Sequence, residues 1–166
     1  MALMLFYKKF EKIEIMMNLE TKIPPPIVAT ISGVIISASS TTIDPFEFYG
    51  DKLIAMVVLI LSFSLIVISI RKFNQAKTSI NPMNPKAATK LLSTGIYAVS
   101  RNPMYLGLVG ILCGISIILG SWFSFLVIPI FVFYINKYQI IPEERAMKAL
   151  FKDEYLSYCD EVKRWF

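Results

Sequence analysis

The sequence predicts an all-α, multi-pass membrane protein with about four transmembrane helices, and two observations lead to this prediction. Of its 166 residues, 55% are apolar and only 17% are charged, whereas soluble domains have roughly 25% charged residues. The apolar residues also lie in long blocks without charge, instead of alternating with polar residues as in a half-buried strand or a surface helix. The length suits a single integral membrane domain covering residues 1–166.

The transmembrane helices are predicted from three stretches that contain no Asp, Glu, Lys or Arg. These stretches cover residues 23–43, 53–70 and 102–136, which are 21, 18 and 35 residues long. About 20 apolar residues cross a hydrocarbon core of roughly 30 Å, so the first two stretches each predict one span. The third stretch predicts a hairpin that turns at Gly120 and Ser121, with spans at residues 104–119 and 122–138. Trp122 then lies at the far interface.

The two ends of the chain are predicted to lie at the membrane surface. Residues 1–22 mix large apolar side chains with a cluster of charges, which is typical of a helix lying in the interface. A partly disordered tail is the alternative. Residues 145–166 predict one or two amphipathic helices over the cytoplasmic face, because their apolar side chains are mostly three and four positions apart. These positions are Met147, Leu150, Phe151, Tyr155, Tyr158 and Val162.

The orientation follows from the basic residues. Of the 17 Lys and Arg residues, 16 lie before the first span, between the second and third, or after the fourth. Only Lys52 lies in the opposite loop, together with Asp44, Glu47 and Asp51. Because basic residues favour the cytoplasmic side, both termini and the segments at residues 71–103 and 139–166 are expected there. The net charge of +5 is then a signal of topology and of contact with membrane lipids, and no nucleic-acid partner is expected.

The composition also excludes several kinds of chemistry. The chain has two cysteines and no histidine, so we expect no disulfide framework, no His-based or Cys-rich metal centre and no Ser-His or Cys-His nucleophile. The predicted spans contain no Asp, Glu or Arg, and their one Lys is Lys137, next to the cytoplasmic end of the fourth; this pattern disfavours a proton-coupled transporter or an ion pathway. Any chemistry must therefore use other polar groups.

The polar groups that remain collect in two segments that flank the predicted hairpin, residues 89–107 and 139–145. Because both ends of a hairpin return to the same face, residues 101–105 and 139–144 should be neighbours in space. This places Glu143 and Glu144 near an arginine, two tyrosines and an amide. The alternative for the two glutamates is a helix start, since Pro142 precedes them and acidic residues favour the first turn.

Small residues mark one face of the third span. Gly107, Gly110 and Gly114 are three and four positions apart, a spacing that lets another helix approach closely. We expect this face to serve packing within the chain or in a dimer.

Two motifs in this order resemble the isoprenylcysteine carboxyl methyltransferase family and its phospholipid methyltransferase relatives. The first is the string from Ser93 to Gly107, which contains Arg-Asn-Pro-Met-Tyr and leads into a short hairpin. The second comprises Pro-Glu-Glu-Arg at residues 142–145 and, further on, Leu-Phe, Glu-Tyr-Leu-Ser-Tyr and Val-Lys-Arg-Trp, ending at Trp165. The resemblance covers about residues 89 to 165, whereas the N-terminal half matches only in having hydrophobic spans.

The resemblance implies a multi-pass membrane enzyme that transfers a methyl group from S-adenosylmethionine, releases S-adenosylhomocysteine, and takes a lipid-like acceptor from the bilayer. It also implies a cofactor site on the cytoplasmic side. The residues that match the family's cofactor-binding positions are Thr89, Lys90, Leu91, Leu92, Tyr97, Asn102, Pro103, Met104, Tyr105 and Glu143.

Two positions differ from the prenylcysteine enzymes. Asn102 stands where many members have His; Asn keeps a hydrogen bond but does not titrate. Gln139 stands where those enzymes place an Arg that meets the substrate carboxylate. A neutral amide at this substrate-binding position favours a different lipid or a small hydrophobic acceptor over the carboxylate of an isoprenylated cysteine.

The candidate catalytic residues are Glu144 and Arg101. The reaction implied by the resemblance is in-line displacement, in which the protein mainly aligns the reactants and excludes water, and no metal is required. A carboxylate or thiolate acceptor needs no strong base, whereas an amine acceptor would lose its proton to Glu144.

Two other functions are consistent with the sequence. Membrane sterol reductases have a similar Arg-His-Pro-x-Tyr pattern and bind NADPH, although they are much larger proteins. A non-catalytic membrane subunit, whose polar segments only hold a partner, is the alternative from a different class.

Overall fold

The computed structural model describes residues 19–42, 44–79, 81 and 83–166. This part of the chain contains helices and connecting turns but no β-strand. Its α-helices are α1 (Pro25–Ser39), α2 (Asp51–Ala76), α3 (Pro103–Leu119), α4 (Ser124–Ile135) and α5 (Ile141–Glu161). Two short 3₁₀-helices lie at Pro85–Ala87 and Gly95–Ala98, and a π-helical turn at Asn136–Ile140 joins α4 to α5.

Helix α3 lies at the centre of the bundle and packs against α1, α2 and α4. The core of the bundle consists of apolar side chains from several helices, with Ile36 of α1, Leu112 of α3 and Phe131 of α4 almost entirely buried. Large apolar side chains on the outer faces are exposed, as expected where lipid rather than water covers a helix. The fold therefore places the start of α3, with its polar motif, beside three other helices.

Glycines bring α2 and α3 unusually close together. A Cβ atom at Gly107 would lie 2.9 Å from the backbone oxygen of Ser62, and one at Gly110 would overlap the Ser62 hydroxyl. A Cβ at Gly114 would lie 2.6 Å from the side chain of Leu59. The predicted small-residue face is thus confirmed as a packing surface, and its partner is another helix of the same chain.

The predicted turn of the hairpin is confirmed at Gly120. This residue ends α3 with φ of 57°, a left-handed conformation that favours glycine. Its carbonyl accepts a hydrogen bond of 3.0 Å from the amide of Phe46. The ring of Phe46 meets Trp122 edge to face, with ring centres 5.3 Å apart. The loop between α1 and α2 therefore covers the turn.

Two helical stretches are long and apolar enough to cross a membrane: α2, with 26 residues, and the continuous path Ser124–Glu161, with 38 residues. Helices α1 and α3 are also apolar but shorter, at 15 and 17 residues. All four apolar stretches that the sequence predicts as spans are therefore helical, and two of them reach the length of a full span.

The structure differs from the predicted elements at both ends. The interfacial helix predicted for residues 1–22 falls mostly on residues 1–18, outside the described residues, while residues 19–22 form a turn. The predicted C-terminal amphipathic helix begins at Ile141, bends at Lys152 and ends at Glu161. Residues 162–166 are not helical: the backbone of Val162 is extended, and the carbonyls of Lys163 and Arg164 accept hydrogen bonds from Arg101 and Asn102 before α3.

Candidate functional site

A cavity of about 420 Å³ lies where the first turns of α1 and α3, the last turns of α2 and the start of α5 meet. Its walls are mostly apolar, with a few polar and charged side chains among them. Small-molecule sites in proteins have this size and character. The lining residues outside the predicted site are Pro24, Pro25, Pro26, Ile66, Ile70, Phe73, Ser79, Asn81, Pro85, Ala88, Leu108, Met147, Tyr155 and Tyr158.

A carboxylate and a phenol form a hydrogen-bonded pair in the cavity wall. The Tyr105 hydroxyl, in the first turn of α3, donates to Oε1 of Glu143 in the first turn of α5. Tyr105 is 6% exposed, and Glu143 is partly buried beside it. The two motifs that flank the hairpin therefore meet, as predicted, through a direct contact.

The environment of Glu143 changes its acidity. Burial raises the pKa of its carboxyl from 4.5 to about 7; the hydrogen bond from Tyr105 opposes this rise, and the nearby charge of Glu144 adds to it. A carboxyl group that titrates near neutral pH in a cavity is typical of functional sites.

The next residue, Glu144, has a very different environment. Its Oε1 accepts a hydrogen bond of 2.9 Å from Nη2 of Arg101 and one of 3.0 Å from Nε of Arg164. Its Oε2 accepts a 2.6 Å bond from Nη2 of Arg164. The carboxylate is therefore shared between two guanidinium groups, one on each side. The Nε of Arg101 is buried and has no hydrogen-bond partner within the described residues.

Buried phenols close the cavity next to these charges. The Tyr158 hydroxyl donates a 2.5 Å hydrogen bond to the backbone carbonyl of Tyr97, and the hydroxyl of Tyr97 pairs with Ser69. Burial raises the pKa of Tyr97 well above 10 and that of Tyr158 to about 12. Both phenols are therefore neutral at physiological pH, and they line the cavity as hydrogen-bonded side chains.

Most residues that the sequence predicts for the site line this one cavity, although they come from three separate segments. Their presence in one cavity does not test their individual roles, which stay predictions. The residues concerned are Lys90, Leu91, Leu92, Tyr97, Arg101, Asn102, Pro103, Met104, Tyr105, Glu143 and Glu144.

Two predicted site residues lie outside the cavity lining. Thr89 is exposed, and its amide donates a 2.9 Å hydrogen bond to Oγ1 of Thr78. Gln139 is fully buried in the π-helical turn, where its Nε2 donates a 2.7 Å hydrogen bond to the carbonyl of Ile23. In this structure the Gln139 side chain thus connects the π-helical turn to the segment before α1.

Arg164 and the prolines at the start of α1 were not predicted as site residues. Pro24, Pro25 and Pro26 line the cavity. Arg164 belongs to the Val-Lys-Arg-Trp string of the family resemblance, and it binds Glu144 of the cavity wall. Its ion pair with Glu144 joins residues 20 positions apart across the bend in α5, and no spacing rule predicts such a pair.

The described part of the chain thus forms a helical membrane protein with a small-molecule cavity at the meeting point of two motifs. The phospholipid methyltransferase family matches residues 51–154, which cover most of the chain. The protein belongs to this family, and the sequence-based resemblance is confirmed. The match includes α2, α3, α4 and most of α5, so it contains most of the cavity wall.

A protein of Haemophilus influenzae, described as uncharacterized, is 40% identical over 62 residues. The aligned region is 37% of this chain and 98% of that protein. No solved structure matches the chain. Family membership and the apolar helices together identify an integral membrane protein of a methyltransferase family.

Proposed function

We propose that the protein transfers a methyl group from S-adenosylmethionine to a lipid-like or small hydrophobic acceptor at the membrane. The observation that carries this proposal is the contact between Tyr105 and Glu143, because it joins the two motifs of a methyltransferase family inside one cavity. The isoprenylcysteine-type reaction is the finer form of this proposal.

The donors and acceptors in the cavity wall suit this cofactor. The carboxylate of Glu143 would accept hydrogen bonds from ribose hydroxyls or from the cofactor ammonium group. The Nε of Arg101, which is buried without a partner in the described part of the chain, has a donor free for a carboxylate. The aromatic face of Tyr97 or Tyr105 is compatible with a sulfonium cation.

The apolar part of the cavity favours a hydrophobic acceptor. Ile66, Ile70 and Phe73 on α2 face Pro24–Pro26 at the start of α1 across the cavity. Ile70 is 38% exposed on a helix that is apolar enough to span the membrane. An acceptor with a hydrocarbon chain would therefore reach the cavity from the bilayer side. An isoprenylated cysteine and other membrane lipids are such acceptors.

When bound, S-adenosylmethionine supplies a methyl group on a sulfonium, which an acceptor heteroatom attacks in line. The residues of the chain contribute alignment and exclusion of water. Glu144 already accepts hydrogen bonds from two arginines, so its carboxylate is held in place rather than left free. We therefore expect Arg101 and Glu144 to organise the cavity wall, and an acceptor that needs no strong base fits the site best.

We also propose that all four apolar helices cross the membrane with the cavity at the cytoplasmic face. A helix of 15 or 17 residues is about 22 to 26 Å long. Local thinning of the bilayer accommodates such helices at modest cost. The side of the membrane follows from the sequence, because 16 of the 17 basic residues lie in the segments expected on one side and basic residues favour the cytoplasm.

Binding of S-adenosylhomocysteine to the detergent-purified protein tests the function. We expect calorimetry to detect binding and the thermal transition to rise, because a ligand at about 100 times its dissociation constant adds roughly 2.7 kcal/mol to the native state. Binding of NADPH instead would indicate a reductase. A folded sample that binds neither ligand would leave a non-catalytic membrane subunit.

The variant Glu143→Ala should lose this binding while its unfolding temperature without ligand stays near or above that of the wild type. Glu154→Ala is the matched control, because Glu154 is an exposed glutamate on the same helix. Normal affinity in a folded Glu143→Ala variant would sink the assignment of the cavity.

A further inference from the structure

The segment Val162–Trp165, called the clasp below, contacts residues that line the cavity. It follows the end of α5 at Glu161, and its first residue is in an extended conformation. Val162 is 7% exposed and packs with Tyr155 and Tyr158. Trp165 packs against the main core, which includes Tyr105. Both ends of the clasp are therefore anchored by apolar contacts.

The backbone of the clasp holds the segment that leads into α3. The amide of Arg101 donates a 3.0 Å hydrogen bond to the carbonyl of Lys163. The carbonyl of Arg164 accepts a 3.0 Å bond from Nδ2 of Asn102 and a 3.5 Å contact from the Ser100 hydroxyl. Three consecutive residues of the predicted cofactor segment are thus bound to two consecutive residues of the clasp.

The side chain of Arg164 then reaches the other wall. It contacts both carboxylate oxygens of Glu144, at 3.0 Å and 2.6 Å, in the two-point geometry that arginine forms with carboxylates. Arg101 binds Oε1 of the same carboxylate. Since the clasp also holds the backbone of Arg101, a closed ring of contacts runs from the clasp to α5, to the segment before α3 and back.

These contacts also affect the neighbouring residue, Glu143. Glu143 and Glu144 are adjacent in the first turn of α5, and neighbouring helical residues point in directions about 100° apart. With Glu144 fixed towards the arginines, Glu143 is directed towards Tyr105 and the cavity. The Glu144 ion pairs and the Tyr105–Glu143 hydrogen bond are therefore satisfied by one and the same rotation of this helical turn.

We propose that Arg164 is a positioning residue for cofactor binding: through Glu144 it fixes the side chains of Glu143 and Arg101 in the geometry that the cofactor meets. This inference rests on the proposed function. It assigns to the clasp a role in ligand affinity, beyond a contribution to stability.

The test compares S-adenosylhomocysteine binding with thermal stability in four detergent-purified proteins. Arg164→Gln should weaken binding about tenfold or more, because coupled groups in one charged network typically show effects of this order. Arg164→Lys, which keeps the charge but loses the two-point geometry, should restore part of the affinity. Lys163→Gln is the matched control, because Lys163 is an exposed cation next to Arg164 and its backbone contact remains. Its affinity should equal that of the wild type.

A double variant separates positioning from a general loss of structure. Glu144→Gln should weaken binding as Arg164→Gln does, and the two changes together should cost little more than either alone. Equal affinity of wild type and Arg164→Gln would overturn the proposal. So would a loss of affinity that matches a drop in unfolding temperature without rescue by lysine. If Arg164→Gln does not fold, Arg164→Lys alone decides: unchanged affinity overturns the proposal, and an affinity between tenfold loss and wild type supports it. Absence of binding in the wild type would instead refute the proposed function.

Discussion

Helix α3 uses its two long faces in opposite ways. Towards α2 it presents Gly107, Gly110 and Gly114, and the two helices touch so closely that no side chain fits between them. Towards α1 it leaves space: a groove of about 520 Å³ runs between them, and a Cβ at Gly33 of α1 would meet its nearest neighbour only at 3.8 Å. Pro26 and Leu108 line both this groove and the cavity.

The difference shows how one small bundle combines rigidity with access. The close α2–α3 contact at these glycines, called the seam below, fixes the position of the first turn of α3. This turn carries Pro103, Met104 and Tyr105 into the site, directly after Arg101 and Asn102. The looser α1–α3 side leads towards the cavity, which Ile70 and Phe73 of α2 also line. A densely packed helix contact next to an open cavity is what a binding site on a rigid support needs.

The largest expected effect breaks the seam. Gly110→Leu should lower the free energy of unfolding by about 3 kcal/mol or more, because any side chain there overlaps Ser62 and the well-packed helices cannot separate without losing other contacts. The matched change on the open side, Gly33→Leu, should leave the unfolding temperature in the same detergent within a few degrees of wild type. Similar losses in both variants would contradict the difference between the two faces.

The second prediction, of similar or smaller size, concerns the pH dependence that Glu143 gives to the cavity side. The pKa of Glu143 is raised from 4.5 to about 7, so the native state keeps a proton that the unfolded state releases. Stability should therefore fall as pH rises from about 4.5 to about 7, by at most about 3 kcal/mol, and level off above. Affinity for S-adenosylhomocysteine should rise as the pH passes about 7, because the ionised carboxylate of Glu143 accepts hydrogen bonds better than the protonated form.

The control for this prediction is Glu143→Gln, which should remove both pH dependences when unfolding and binding are measured across about pH 5 to 8. Tyr105→Phe should move the midpoint of the binding curve to higher pH, because the hydrogen bond from Tyr105 lowers the pKa of Glu143. A midpoint that moves to lower pH would mean that Tyr105 does not stabilise the ionised form.

The smallest expected effect marks the edge of the cavity. Thr89→Ala should leave affinity for S-adenosylhomocysteine within about twofold, because Thr89 is exposed and lies outside the lining, and the hydrogen bond of its backbone amide to Thr78 remains. Leu91→Ala, two residues further on in the lining, is the comparison and should bind more weakly. A large loss in Thr89→Ala alone would extend the site beyond the cavity.

Much of the fold could be predicted because it depends on local composition. The charge-free stretches predicted four helices, and the glycine spacing predicted the close contact of α3 with another helix. The return of the hairpin to one face predicted that Arg101 and Glu144 are neighbours, and their side chains are 2.9 Å apart in the structure. Helix limits were less predictable. The interval between Ile135 and Ile141 is a π-helical turn rather than an end, and nothing in hydropathy distinguishes the two.

The division of work between the two glutamates could not be predicted from the sequence. Glu143 and Glu144 are adjacent and identical in chemistry, so only the rotation of the helix decides which one faces Tyr105 and which one faces Arg101. Arg164, which binds Glu144, reaches it after a bend at Lys152 and through an extended segment. Such a contact depends on the whole path of the chain.

The π-helical turn at Asn136–Ile140 joins α4 to α5 without a break in the helical path. It changes which side of the helix faces the rest of the protein. One residue more than an α-helix needs rotates everything that follows by about 100°. Upstream of the turn the side chains face lipid and the bundle core; downstream, one side of the helix, with Glu143, Glu144 and Met147, lines the cavity. Deleting a single residue from this turn would turn Glu143 away from Tyr105 without altering either half of the rod. The turn thus rotates the buried side of α5 relative to the buried side of α4.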